Sequence, residues 1–346
     1  MGKYNTYREF WLPSKTLPLN DTIWIEAHNT YSTIKNGIFF PAVNQKLTIT
    51  EILNDTPVRL LSLDAYYDGV KKEFYMTHSK WDVNNMKLDK LSEPLGIKVR
   101  TLQEELMEIR AWLDKNPTEV VMIHLEEQFS GYTKEQAEQY RNEFVKVFGN
   151  KVYTNNDKLE FYKNNSKNPN FKNKSFEEVY PSLNQIIESG KQILLFSQYF
   201  GKEDFLSDST SRYNNDSYFL NFYSLAAVGE DKTLAGKIGR DLNEFEETLN
   251  KTFNTKIDNI PNDIAPEFSV ENLYKYKMNR GDKVVTVIAL DFIKKNDKRL
   301  IESFEMYKKE FSLYTSKTHQ NSSEKVFRNE ADIYETNKIG AFRNKN

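Results

Sequence analysis

The stretch Thr22-Ile-Trp-Ile-Glu-Ala-His-Asn-Thr-Tyr31 decides how this chain is read. A short, mostly apolar β-like run closes on a histidine, and a loop opens at Asn29. The pattern recurs. Val58-Arg-Leu-Leu-Ser-Leu-Asp64 ends on an acid, and Glu73-Phe-Tyr-Met-Thr-His78 ends on a second histidine. Ionisable groups at the ends of successive strands are how an α/β barrel builds an active site, because its strand C-termini open on one face. Two such histidines point to acid–base chemistry, since imidazole titrates near neutral pH.

Working outward, strand-like runs are expected at 22–27, 58–63, 73–77, 119–125, 192–196, 217–223 and 284–290. They are rich in Val, Ile, Leu and Phe, as suits strands buried on both faces of a parallel sheet. The clearest helix is 101–115: Thr101 and Glu104 form a capping box, Leu102, Leu106, Ile109 and Leu113 share a face, and Pro117 follows its end. Helix and strand alternate, which predicts right-handed βα units and hence a TIM-like parallel β/α barrel, distorted or incomplete, over 1–313. Residues 228–275 hide the eighth strand or lack it. The Asn- and Lys-rich stretch 161–175 reads as a surface loop. A last helix is expected near 297–313, and 314–346 as a polar C-terminal tail or extension.

Composition removes several function classes. The 346 residues carry a formal net charge of −2, so nothing favours broad nucleic-acid binding. There is no cysteine, which excludes disulfides, thiolate catalysis and Cys-ligated zinc. The first residues show no apolar signal-peptide core, and no apolar run is long enough to span a bilayer. Any membrane contact is expected to be peripheral.

The strand ends then form a set. His28 and Asn29 follow the first run, Asp64 the second, His78 the third, Glu126 and Glu127 the fourth, Ser197 and Gln198 the fifth, Tyr223 the sixth and Asp291 the last. Each has a bland reading alone: a histidine satisfying backbone, an aspartate capping a turn, a solvated pair of glutamates. Together, at consecutive strand ends, they would bring two histidines, an amide and several acids into one pocket. An amide oxygen with carboxylates makes an all-oxygen set suited to Ca²⁺ or Mg²⁺. His124 lies lower on the same strand face as Glu126 and reads as a core histidine. His319 falls in the polar tail.

At this point a family resemblance appears. Ala27-His-Asn-Thr-Tyr31, Val58 to Asp64 and Thr77-His78 resemble the X-region of phosphoinositide-specific phospholipase C. The helix–strand block from Leu102 through Trp112 and Asn116-Pro-Thr-Glu-Val120 to Glu126 extends the likeness, as do Gly190 to Ile193 and Ala289 to Phe292, over roughly 20–295. The resemblance implies that His28 and His78 are the catalytic histidines and that Asn29, Asp64 and Glu126 are Ca²⁺ ligands, as in the calcium-dependent members. Metal-independent members place Asp after the first His and Arg two positions beyond the site of Asp64; here those positions are Asn29 and Tyr66. Ser62 stands where the calcium-dependent enzymes carry a ligating Glu, which leaves the identity of the base open. Asp291 would orient His28, as a partner carboxylate does in metal-independent members.

The end of the fifth strand, Phe196-Ser-Gln198, lacks the lysines found in enzymes that favour polyphosphorylated inositides. Unphosphorylated phosphatidylinositol, or a related phosphodiester lipid, is therefore the expected substrate, with Lys80, Ser197, Gln198 and Tyr223 as candidate contacts. Lys80 also reads as a solvated loop lysine. Ile38-Phe-Phe40 and Trp81 are candidates for contact with a membrane surface; the rival reading packs the former on the barrel rim. A glycerophosphodiester phosphodiesterase shares the expected barrel, but typically carries His-Arg and Glu-x-Asp where this chain has His28-Asn29 and Ser62-Leu-Asp64. A non-catalytic phospholipid-binding module is the alternative from another class, with Ser62 marking a decayed site.

Overall fold

The computed structural model describes residues 6–36, 44–77, 99–125, 133–169, 171, 173–197, 206, 222–225 (backbone only), 287–302 and 304–305. In chain order the strands are β1 (Trp24–Ala27), β2 (Leu60–Leu63), β3 (Tyr66–Asp68), β4 (Glu73–Tyr75), β5 (Val121–Leu125), β6 (Val152–Tyr153), β7 (Ile193–Phe196), β8 (Phe222–Leu225) and β9 (Val287–Leu290). The helices are α1 (Tyr7–Trp11), α2 (Ile49–Asp55), α3 (Leu102–Lys115), α4 (Lys134–Phe148), α5 (Asn155–Asn165) and α6 (Leu183–Glu188).

One sheet has the order β6-β7-β5-β2-β1-β9-β8, and every pairing in it is parallel. Apart from the two-residue β6, this is the order of the chain wrapped on itself. The first strand pairs with the last, from Trp24↔Val287 to Ala27↔Leu290. A doubly wound sheet would instead reverse its order at a switch point. The fold is a parallel β/α barrel, distorted and incomplete: among the described residues no pairing joins β7 to β8, and the outer edge of β7 carries the two-residue β6 and, at its last residue, an isolated bridge, Phe196↔Leu206.

Side-chain alternation separates two cores. Ile25, Ala27, Leu61, Leu63, Ile123, Leu195 and Leu290 pack outward with the helices, including Leu106, Ile109 and Phe144. Trp24, Leu60, Met122, Leu194 and Val287 point the other way and form the inner cluster with Leu19, Leu183 and Ile186. Helix α3 starts as expected: Thr101 and Glu104 cap it reciprocally, and its apolar stripe is buried.

Two expectations are corrected. The run 73–77 does not join the barrel. Its ordered part, β4, pairs antiparallel with β3 in a separate hairpin. Phe74, Tyr75, Met76 and Thr77 are still buried; the partner strand differs. Residues 161–165 are not loop but the end of α5. Thr154 and Asp157 form a capping box that starts this helix. Edge contacts then hold it down, Phe161 on Phe171 (6.0 Å) and Tyr162 on Phe176 (5.8 Å). Near 297–313 the described residues are helical over 298–302.

Candidate active site

The inner face of the barrel is layered. Above the apolar layer of Trp24, Leu60, Met122, Leu194 and Val287, each strand places its next inward residue: Glu26, Ser62, His124, Phe196 and Ala289. Ser62 lies opposite His124 in register, and His124 Nδ1 is 4.0 Å from Glu26 Oε2, all three being buried. His124 is thus a core histidine. Two residues further, beyond the strand ends, stand His28, Asp64 and Asp291.

His28 and Asp291 meet. Nδ1 of His28 lies 2.7 Å from Oδ1 of Asp291, and both side chains are almost fully buried, at 2% and 0% exposure. The other oxygen, Asp291 Oδ2, accepts from Asn44 Nδ2 at 3.3 Å. A carboxylate surrounded by donors places the imidazole hydrogen on Nδ1 and leaves Nε2 as the acceptor. Register delivers this pair. Ala27 and Leu290 are partners in the ladder, and the His28 amide continues it to Leu290 O at 3.1 Å.

The turn after His28 brings the next residues over β2. Thr30 donates its amide to Ser62 O, and its hydroxyl accepts from the Ser62 amide at 3.1 Å. Asn29 has φ 42, a left-handed conformation that Asn tolerates. Its Nδ2 donates to Asn44 Oδ1 at 3.1 Å, while its Oδ1 is buried with no hydrogen-bond partner. Tyr31 OH donates to Asp64 Oδ2 at 3.2 Å, and Asp64 is buried. On the other side of the pair, Phe292 has φ 52, a strained conformation for a bulky residue. A left-handed residue thus follows both members of the His28–Asp291 pair. Arg299 Nη2 donates to Asp291 O at 2.8 Å and holds that carbonyl.

Asn44 and Gln45 complete the mouth, and no periodicity or motif in the sequence marks them. Gln45 is fully buried; its Nε2 donates to His28 O (2.7 Å) and Leu290 O (3.1 Å), and its Oε1 accepts from the Ile293 amide. It staples the end of β1 to the end of β9.

The other expected site residues fall as follows. Ser197 is buried, its amide spent on Leu206 O at 3.2 Å. Tyr223 pairs in register with Ile288, inside β8 and not at its end. His78, Lys80, Glu126 and Gln198 lie outside the described residues, as do Ile38-Phe-Phe40 and Trp81. Among the described residues no three His, Asp or Glu side chains gather as a metal cage. No described helix is long and apolar enough to cross a membrane.

No protein-family model matches the chain, and no curated protein matches it. Solved structures do align. The phosphatidylinositol-specific phospholipase C of Listeria monocytogenes matches at 16% identity and TM-score 0.45, over 86% of this chain and 98% of that one. That of Staphylococcus aureus matches at 13% and TM-score 0.41, over 84% and 94%. L. pealei PLC21 matches at 11% and TM-score 0.32, over 80% of this chain and 31% of that one. Likeness of this grade assigns no activity to this chain.

Proposed function

We propose that the mouth of this barrel is the active site of a phosphoric diester hydrolase of the phosphatidylinositol-specific phospholipase C type. It would cleave the glycerol–phosphate ester of an inositol lipid to diacylglycerol and cyclic inositol phosphate. The observation that carries this reading is the buried His28–Asp291 pair, 2.7 Å apart where the first and last strands end.

The chemistry follows from the tautomer. With its Nδ1 hydrogen held by Asp291, His28 offers Nε2 to the inositol 2-hydroxyl. The hydroxyl oxygen attacks phosphorus as its proton passes to Nε2, and Asp291 steadies the imidazolium that forms. The bond from phosphorus to the glycerol oxygen breaks, and His78 protonates that oxygen. The donor set fits a hard cation. Asn29 contributes a buried amide oxygen without a partner, Asp64 a buried carboxylate nearby in the chain fold, and Glu126 another carboxylate by sequence. These three would hold Ca²⁺, which when bound supplies positive charge beside the phosphate. Lys80, Ser197, Gln198 and Tyr223 are proposed head-group contacts, and the lack of lysines at 196–198 favours an unphosphorylated ring. Ile38-Phe-Phe40 and Trp81 are the proposed contacts with the membrane surface.

Vesicles containing phosphatidylinositol test this. Water-soluble inositol phosphate should appear with Ca²⁺ and stop on adding a chelator. Release that persists in chelator removes the cation and leaves the histidine pair. No release with Ca²⁺ present, from phosphatidylinositol or any other phosphodiester lipid, overturns the hydrolase reading and favours a binding module.

A further inference from the structure

We propose that Asn44 is a positioning residue: it fixes the orientation of the Asn29 amide, so that Asn29 faces the site with its oxygen. This rests on the proposed reading of His28 and Asp291 as the acid–base pair and of Asn29 as a cation ligand.

The argument is one of hydrogen-bond direction. A carboxylate only accepts, so Asp291 Oδ2 requires a donor, and Asn44 meets it with Nδ2 at 3.3 Å. That leaves Asn44 Oδ1 facing Asn29. Asn29 must then turn its own Nδ2 toward Asn44, and it does so at 3.1 Å. The remaining atom, Asn29 Oδ1, is the buried oxygen without a partner. Flipping Asn29 alone would set two acceptors against each other; flipping both amides would move that clash onto Asp291 and lose a charge-assisted bond. One carboxylate therefore sets two outputs. Through His28 it makes Nε2 an acceptor, and through Asn44 it makes Asn29 an acceptor.

Asn44 is itself held by its backbone. Its amide donates to Ser32 O at 3.0 Å, and its carbonyl accepts from the Phe292 amide at 2.7 Å. These bonds tie it to the turn after β1 and to the segment after β9, and any residue but proline at position 44 can make them. Substitution there tests the amide and not the loop.

Two variants split the function of this amide. Asn44→Leu removes the relay; Asn44→Asp still accepts from Asn29 but no longer donates to Asp291. Asn44→Ser replaces Asn44→Leu if the latter does not fold. Without any metal, the ¹⁵N side-chain amide signals of Asn29, assigned with Asn29→Asp, should lose their hydrogen-bonded, slowly exchanging proton in Asn44→Leu and keep it in Asn44→Asp. Ca²⁺ titrated by calorimetry should bind Asn44→Leu about 10–100-fold more weakly than wild type. Asn29→Ala combined with Asn44→Leu should bind no worse than Asn29→Ala alone, because both act through one oxygen. Unchanged Asn29 signals in a folded Asn44→Leu protein overturn the proposal. If wild type itself binds no Ca²⁺, the cation reading fails, while the metal-free spectrum still decides the role of Asn44.

Discussion

Two acid–base pairs, Arg59–Glu119 partly buried and His28–Asp291 fully so, stand at opposite ends of the barrel, and they differ in what they leave unspent. Arg59 and Glu119 precede β2 and β5. Arg59 Nε donates to Glu119 at 2.8 Å, Nη1 bonds the carbonyls of Leu53, Thr56 and Val58, and the guanidinium lies over the Trp112 ring at 5.0 Å. Burial pushes the Glu119 carboxyl up, but the charges of Arg59 and Lys15 outweigh it and hold the group below its ordinary value. Nε closes on carboxylate and Nη1 on backbone, so this pair ties helix α2 and the strands together. His28 and Asp291 follow β1 and β9. There the carboxylate is saturated, but the imidazole keeps one nitrogen as an acceptor, next to an unpartnered amide oxygen. In a parallel barrel the ends where strands start serve stability, and the ends where they finish serve chemistry.

The contrast breaks if the wrong pair governs turnover. Asp291→Asn should keep the shape and lose the tautomer, lowering phosphodiester turnover about 10²–10⁴-fold, or roughly 3–5 kcal/mol in barrier. A variant that instead unfolds with normal residual turnover would make the pair structural. Arg59→Met should do the reverse. It leaves Glu119 without its main partner and costs about 2–4 kcal/mol of stability by denaturant titration, with turnover per folded molecule unchanged. Loss of turnover in folded Arg59→Met protein would remove the distinction between the two ends.

A smaller effect sharpens it by pH. Glu105 is fully buried on α3, where its Oε1 takes Asn36 Nδ2 at 2.7 Å and Arg100 Nε at 3.2 Å. Burial pushes its carboxyl from 4.5 up to about 8, and the pull of Arg100 does not offset that. The folded chain thus keeps a proton that the unfolded chain releases near 4.5. The stability due to this group is complete below that pH and is lost as pH rises toward 8, by about 1.4 kcal/mol per pH unit at most. Glu105→Gln should therefore raise thermal stability at pH 9 and change little at pH 5. Parallel stability curves for the two proteins would contradict this.

The sequence showed the fold where its signals were local. Apolar runs marked β1, β2, β5, β7 and β9 and overlapped β8 only at 222–223, and the box Thr101–Glu104 marked the start of α3. It misled where an apolar run found a local partner, where the composition was atypical, or where the partner was remote. The run 73–77 is buried as a barrel strand is, yet its pairing strand is β3, only a few residues before. The Asn- and Lys-rich surface of α5 hid the box Thr154–Asp157, and its aromatic anchors act across a turn. The His28–Asp291 pair was legible because each residue ends a recognisable strand. Asn44 was not: its bond to Asp291 spans 247 positions, and nothing local in a loop amide announces it.

The most direct test of the account is hydrolysis of phosphatidylinositol vesicles by His28→Ala beside wild type, both confirmed as folded and both in Ca²⁺. Release of inositol phosphate by wild type, with loss of at least about 10²-fold in the variant, is the predicted result. Equal rates in the two proteins would contradict it.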